Sequence, residues 1–586
     1  MIRPGKVLLL LGGLVALVAA GALVIALAVW IGKPGVPGQT ILEIDFERGI
    51  VAQLPDDPVT RLAAREALPL RDVIETIERA EGDKRVVGLF ARIGAGDYGM
   101  ATTQELRDAV LAFRKAGKPA VAFAETFGEF GPGNRGYYLA TAFDEVWLQP
   151  SGDIGLIGVE MWSPFVKGTL DKLGVVPRMD HRYEYKNAMN MFTETGLTPP
   201  HREAMQAIAD GWFEQLVAGV ATGRKLPEAE VRALINRGPF LGDEAVKARL
   251  VDGLGYRDEV VEKFKSKLTG KPSMVWLPAY LEAAGRPHDG GKKIALIYGV
   301  GGVSRGRSSY DPLMQDLTMG SDTVTAAFRA AVADKKVKAI LFRVDSPGGS
   351  YVASDAIWRE VVRARAAGKP VIVSMGDVAG SGGYFVAMAA DKIVAQPGTI
   401  TGSIGVLGGK MLTGALWEKG GVTWEAVQQG DRAGMFSNGQ DFAPEEWQRF
   451  QAWLDRVYVD FTGKVAEGRK LPLEKVQEIA KGRIWTGADA RRIGLVDELG
   501  GMREALALAR RAAGLTADEA IEIAEFPEPR GMFGVLFGGE DRSSEPATRI
   551  EVRALETLRA LDRVAAQVSA GERDTVLRMA VVPEGR

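Results

Sequence analysis

The sequence predicts an α/β protein, with two copies of one parallel-sheet domain in tandem behind a single apolar N-terminal helix. Three observations carry that expectation. Residues 136–159 (GYYLATAFDEVWLQPSGDIGLIGV) and 383–406 (GYFVAMAADKIVAQPGTITGSIGV) agree at 11 of 24 positions, at a shift of 247 without a gap. Within each copy, near-continuous apolar runs alternate with amphipathic helical patterns, as strands covered by helices on both faces require. Finally, residues 7–32 form a run of 26 without a single charge.

The elements follow in chain order. Residues 1–6 carry Arg3 and Lys6 and are expected in the cytoplasm. As a helix at about 1.5 Å per residue, residues 7–32 reach some 39 Å, enough to span a bilayer core. The positive flank precedes the run, and Glu43, Asp45 and Glu47 follow Lys33. The positive-inside rule then gives a single pass, N-in, with the rest of the chain outside the cytoplasm. Ala26-Leu27-Ala28 has the small-x-small form of a cleaved signal peptide, the rival reading, but the apolar run is too long for a typical h-region.

Residues 40–284 make the first copy, with strands over 40–46, 86–93 and 119–123 and helices over 70–80 and 103–115. Residues 285–292 (GRPHDGGK) read as the joint. The second copy, 293–525, repeats the pattern. Its strands lie over 293–300, 337–344 and 370–375, and its helices over 322–333, behind Ser321 as N-cap, and 351–366. LVDGLG at 250–255 answers LVDELG at 495–500, and GRKL recurs at 223–226 and 468–471. A repeat this long is a duplicated domain, not a solenoid. The tail, 526–586, opens Gly- and Pro-rich and reads as one charged amphipathic helix over 549–568.

Composition excludes several chemistries. With no cysteine there is no disulfide framework, thiolate metal site or Cys nucleophile. A net charge of −2 without a basic block argues against nucleic acid as a partner. Only His181, His201 and His288 are present, too few for a His-rich metal centre. Any Ser-His-Asp mechanism depends on one of those three.

The chemistry is sought where the copies differ. Ser381, in AGSGGYF, stands at a strand-to-helix turn between glycines, where a nucleophile is exposed and helix amides favour negative charge. Taken alone, such a serine is more often just a Gly-Ser turn. Copy one has Asn134 there. DSPGGS (345–350) has no counterpart in GAGD (94–97), and Ser403 of TGSIG faces Leu156. Copy one in turn holds Lys186 among Tyr183, Tyr185, Met189, Met191 and Phe192, where copy two has Asp431 or Arg432 and no lysine. Burial disfavours an ammonium, so such a lysine can act as a base. One copy keeps the serine and the other the lysine.

RVDSPGGS, SGGYF and TGSIG, in this order and spacing across almost the whole chain, resemble the signal peptide peptidase A family in its long, duplicated bacterial form. Each half of that family has a fold similar to the Clp protease and crotonase superfamily. The resemblance implies Ser381 as nucleophile, Lys186 as general base and Ser403 as the group that orients the lysine. It implies Gly348 and Gly349 on one side of an oxyanion hole and Gly382 on the other. It further implies a homotetramer at the bacterial inner membrane, facing the lipid bilayer from the extracytoplasmic side. No metal or organic cofactor is needed, and the substrates are hydrophobic peptides, remnants of cleaved signal peptides. Two other classes stay open: a crotonase-like enzyme of acyl-CoA thioesters, and an inactive peptide-binding scaffold. Whether Lys186 and Ser381 pair within one chain or across subunits also stays open.

Overall fold

The computed structural model describes residues 35–54, 67–96, 98–311, 316–528 and 576–578. The expected membrane helix over 7–32 and the tail helix over 549–568 lie outside the described residues. Among the described residues, no helix is long and apolar enough to cross a membrane.

Repeat one is built on six parallel strands. They are β1 (Thr40–Asp45), β2 (Val86–Arg92), β3 (Ala120–Ala124), β4 (Glu145–Leu148), β6 (Gly253–Leu254) and β7 (Ser273–Trp276), in the order β6-β4-β3-β2-β1-β7. A further strand, β5 (Val176–His181), leaves this sheet altogether. Alternate residues of each strand enter opposite cores, because side chains alternate across a sheet. Leu42, Leu89, Ala91 and Ala122 pack beneath α1 (Leu70–Gly82), α2 (Met100–Lys115) and α3 (Asn134–Ala140). Ile41, Phe90, Val121 and Phe123 pack against Val260, Val261 and Phe264 of α5 (Arg257–Lys267). The long α4 (Pro199–Arg224) lies between the two repeats.

Repeat two forms a second sheet from β8 (Lys292–Val300), β10 (Val337–Ser346), β12 (Val371–Gly380), β14 (Ile400–Gly402), β16 (Ile484–Thr486) and β17 (Ile521–Phe526). The order is β16-β14-β12-β10-β8-β17, with β13 (Lys392–Ala395) also beside β12. Only β16 runs antiparallel in that row. Helices α6 (Ser321–Ala333) and α7 (Tyr351–Ala366) cover one face, and α10 (Met502–Ala512) the other. Between them in sequence lie the short α8 (Gly382–Ala387) and the long α9 (Pro444–Arg469). A small outer sheet pairs β9 (Gly302–Ser304) with β11 (Gly348–Ser350). The chain's own β18 (Val576–Arg578) runs antiparallel along β11.

Two local expectations change. Ser321 is the first residue of α6 and not its cap; the cap is Gly320, which has no side chain to offer. The loop over 306–308 takes over that task, with Asp322 N donating to Gly306 O at 2.8 Å. The strand expected over 370–375 continues to Gly380, through an excursion between the pairs Val344↔Met375 and Ser346↔Ala379. The stretch over 285–292 is itself tied to β17, since Ile523 N donates to His288 O at 3.1 Å and Lys292 N to Ala520 O at 2.9 Å.

The repeats are interlocked. Strand β5 of repeat one pairs antiparallel with β15 (Leu407–Leu412) of repeat two, from Leu407↔His181 to Leu412↔Val176. One face of α2 binds repeat two repeatedly. Thr102 Oγ1 donates to Asp377 Oδ2 (2.5 Å), Gly398 N to Gln104 Oε1 (2.7 Å) and Arg343 Nη2 to Glu105 Oε2 (2.9 Å).

Candidate active site

Ser381 follows β12 directly and precedes α8, with φ +54° and ψ −116°. A non-glycine residue there costs on the order of 1–3 kcal/mol, and its surroundings must hold it. They do so from both sides. Ser381 N donates to Gly402 O at 2.8 Å, and Phe385 N donates to Ser381 O at 2.8 Å. The turn rests on the SPGG segment so closely that side chains are excluded after it. A Cβ on Gly382 would lie 3.0 Å from Gly349 N, and one on Gly383 would lie 2.5 Å from Ser346 O. That packing is why the serine is followed by two glycines.

Lys186 arrives from the other repeat. Beyond β5 the chain is guided by Arg182 N donating to Val406 O (2.9 Å) and Tyr185 N to Lys481 O (3.1 Å). Gly482 passes under the lysine, where a Cβ would sit 2.5 Å from Lys186 N. The side chain is buried, at 1% exposure. Its Nζ lies 2.8 Å from Ser381 Oγ, 2.9 Å from Ser403 O and 3.0 Å from Ser403 Oγ. Burial holds the amine well below its ordinary value. No carboxylate contributes to that environment, so the neutral form is favoured. Both partners belong to the same chain.

The remaining expected residues surround this centre. Ser403, also at positive φ (+51°), is fixed by its N–H donating to Arg483 O at 2.7 Å. The two glycines of SPGG divide. Gly348 N donates to Ser346 Oγ (3.2 Å), whose hydroxyl donates to Gly301 O (2.6 Å), while Gly349 N faces Gly382. Gly348 has φ +101°, so it serves the turn through its conformation. The hydrogen-bond partner of Ser381 Oγ is Lys186, and among the described residues none of the three histidines reaches it. His201 is buried with neither ring nitrogen bonded, and burial pulls it down to about 4. His288 Nε2 is 3.1 Å from Glu78 Oε1 at the joint.

A pair of carboxylates goes beyond the sequence reading. Asp345 fills the excursion in β12, where Val378 N donates to its Oδ1 at 3.0 Å. Asp377, inside that excursion, accepts Thr102 N at 2.9 Å and so caps α2 of repeat one, where Gly99 has no side chain to do it. Burial first, then the neighbouring Asp377 carboxylate, pushes Asp345 up to about 7. Asp345 opens the DSPGGS motif, so the motif was visible; its partner on the neighbouring strand β12 was not.

A buried serine at a strand-to-helix turn, bonded to an enclosed lysine amine that burial disfavours as the ammonium, is the arrangement of a serine-type hydrolase. The comparisons agree. The model of peptidase family S49 matches the chain twice, over residues 112–270 and 363–516. The chloroplastic serine protease SPPA of Arabidopsis thaliana is 32% identical over 502 residues, which is 83% of this chain and 72% of that protein. Protease 4 of Salmonella typhi is 33% identical over 462 residues, 76% of this chain and 72% of its own. Protease 4 of Haemophilus influenzae is 30% identical over 474 residues, covering 77% and 74%. The chain belongs to peptidase family S49, in a duplicated form, and is a serine endopeptidase. Neither the acyl-CoA reading nor the inactive-scaffold reading finds support in these relatives.

Proposed function

We propose that Ser381 and Lys186 form a catalytic dyad that hydrolyses extended, apolar peptides. The observation that carries this is the 2.8 Å separation of Nζ and Oγ around a fully enclosed lysine. Neutral Nζ donates its two hydrogens to Ser403 O and Oγ, which aims its lone pair at the Ser381 hydroxyl. As Oγ attacks the peptide carbonyl carbon, its proton passes to Nζ. The oxygen that becomes negative is stabilised by the amides of Gly349 and Gly382, a contribution of roughly 3 kcal/mol per donor in comparable sites. The ammonium then returns its proton to the leaving amine, which departs as the acyl-enzyme forms. Water, deprotonated by Nζ, attacks that ester and releases the acid.

The β18–β11 pairing supports an extended substrate, since it is antiparallel main-chain addition beside the nucleophile turn. Cleaved signal peptides suit such a groove. In this reading residues 7–32 anchor the enzyme in the bacterial inner membrane with its catalytic repeats outside the cytoplasm. A homo-oligomer, a tetramer by resemblance, covers the exposed Trp424, Val427 and Phe436, which are 71%, 105% and 59% exposed. The test is turnover of an apolar peptide. Ser381→Ala and Lys186→Ala each lose activity by at least about a thousandfold while the circular dichroism spectrum is unchanged. Retained turnover in either variant overturns the dyad.

A further inference from the structure

Repeat one keeps a cleft where repeat two keeps its catalytic site. A cavity of about 340 Å³ opens at the C-terminal ends of β2 and β3, between the loops that follow them and α4. Asn134 stands at the position of the nucleophile. Its Nδ2 donates to Gly158 O at 2.8 Å, and Ile157 N (3.1 Å) and Gly158 N (3.2 Å) donate to its Oδ1. Gly136 N donates to Ala95 O at 3.1 Å. The side chain at the nucleophile position is therefore consumed, and the lining of the cleft holds no nucleophile. Drift would have let it collapse, yet it is open.

Its lining is apolar at the floor, with Met100, Tyr138, Trp212 and Leu216, and charged only at the rim. Next to lining residues in the chain stand large apolar side chains in solvent: Phe130, between Glu129 and Gly131, at 100% exposure, and Ile157, before Gly158, at 46%. Apolar groups gathered at an open cleft mark a binding surface. The floor is also continuous with the catalytic wall. Trp212 Nε1 donates to Gly398 O at 2.9 Å, two residues before β14. The same tryptophan packs on Ile208, Ile400 and Ile484, together with Tyr185, the neighbour of Lys186.

We propose that this cleft is a second, non-catalytic peptide site that holds an apolar stretch of the substrate away from the scissile bond. An extended chain is the occupant the topology favours. The cleft lies at the same strand ends as the Ser381 site, in a copy of the same domain, and the two share a wall. Gly131 at its edge supplies the probe: nothing lies closer than 3.9 Å to a Cβ built there. Gly131→Trp therefore fills the mouth without strain, and Val159→Asp places a charge in the apolar lining.

Both substitutions go into the full-length chain carrying Ser381→Ala, with binding of a fluorescent leucine-rich peptide of about 20 residues, at ~3.3 Å per residue extended, read by anisotropy. Each is expected to weaken binding about tenfold or more, the effect of losing an apolar anchor. In the active chain, the ratio of kcat/KM for that peptide to kcat/KM for one of about five residues falls by a similar factor. The turnover arm rests on the dyad reading and the binding arm does not, so the two fail separately. Unchanged binding in both folded variants overturns the site. So does a change of sedimentation with unchanged binding, which assigns the surface to a second copy of the chain.

Discussion

At the scale of single residues, the proposed chemistry rests on Lys186. An enclosed amine with three oxygens and no carboxylate around it sheds its proton well below the ordinary 10.5. Activity that needs the neutral amine therefore rises with pH through that lowered value and holds on the alkaline side. The same burial affects stability. The unfolded chain binds this proton up to about 10.5 and the folded chain does not, so stability rises with pH across that window. Lys186→Met lacks the slope, and its Tm advantage over the parent is expected to shrink between pH 7 and pH 10. An advantage that is constant across that range would mean the lysine is charged in the fold. Asp345 works in the opposite sense. Its carboxyl, raised to about 7 from an ordinary 3.8, stays protonated longer in the folded chain. Stability is thus lost as pH climbs towards 7. Asp345→Asn keeps an acceptor for Val378 N and removes the titration, so its Tm relative to the parent increases between pH 5 and pH 7. Equal pH slopes would show an ordinary carboxylate. Ser381, Lys186 and Ser403 could be singled out as candidates because one copy lacks what the other keeps, and the structure places Lys186 Nζ within 3.0 Å of both serine hydroxyls. Asp345 could not be singled out, because its role comes from a strand excursion that sequence spacing does not reveal.

Elements place those residues. The contact of Lys186 with Ser381 exists because β5 crosses into repeat two and pairs with β15, after which the chain turns back over Gly482. Gly482 has φ +81°, and its missing Cβ leaves room for the Lys186 backbone. Gly482→Ala displaces the lysine and is expected to lower kcat about a hundredfold, the cost of roughly 1 Å of misplacement, with a fall in Tm of only a few degrees. Normal kcat in this variant would show that the loop under the lysine is free to adjust. The strands and helices of each repeat could be read from apolar runs and helical spacing. The β5–β15 exchange could not, since Val176–His181 (VPRMDH) has no strand-like alternation and earns its pairing only from the partner strand. Ser321 failed as a cap for a related reason: a distant loop had already satisfied the helix amides.

For the whole molecule, the two repeats are held together by side-chain contacts and by the β5–β15 pairing. Helix α2 binds repeat two through its N-terminal half, and the Arg343–Glu105 pair there is almost fully buried, at 2% and 4% side-chain exposure. Breaking such a pair strands a charge and costs about 3–5 kcal/mol. Glu105→Ala is therefore expected to lower Tm strongly and to reduce activity, because the repeats carrying lysine and serine then lose their register. A Tm within a degree of the parent would show that the repeats hold together without α2. Two domains and their shared ancestry were plain in the sequence. That Lys186 and Ser381 meet within one chain was not readable there, because the inter-repeat contacts depend on side-chain identities scattered over Thr102, Gln104, Glu105 and Asp377.

The most direct measurement compares kcat/KM on one apolar peptide for Lys186→Ala and for a chain in which His181, His201 and His288 are all replaced. Loss of about a thousandfold or more in the lysine variant, with the folded histidine-free chain within a few fold of the parent, is the result a Ser381–Lys186 dyad requires. A dead histidine-free chain beside an active Lys186→Ala variant, both folded, would contradict it.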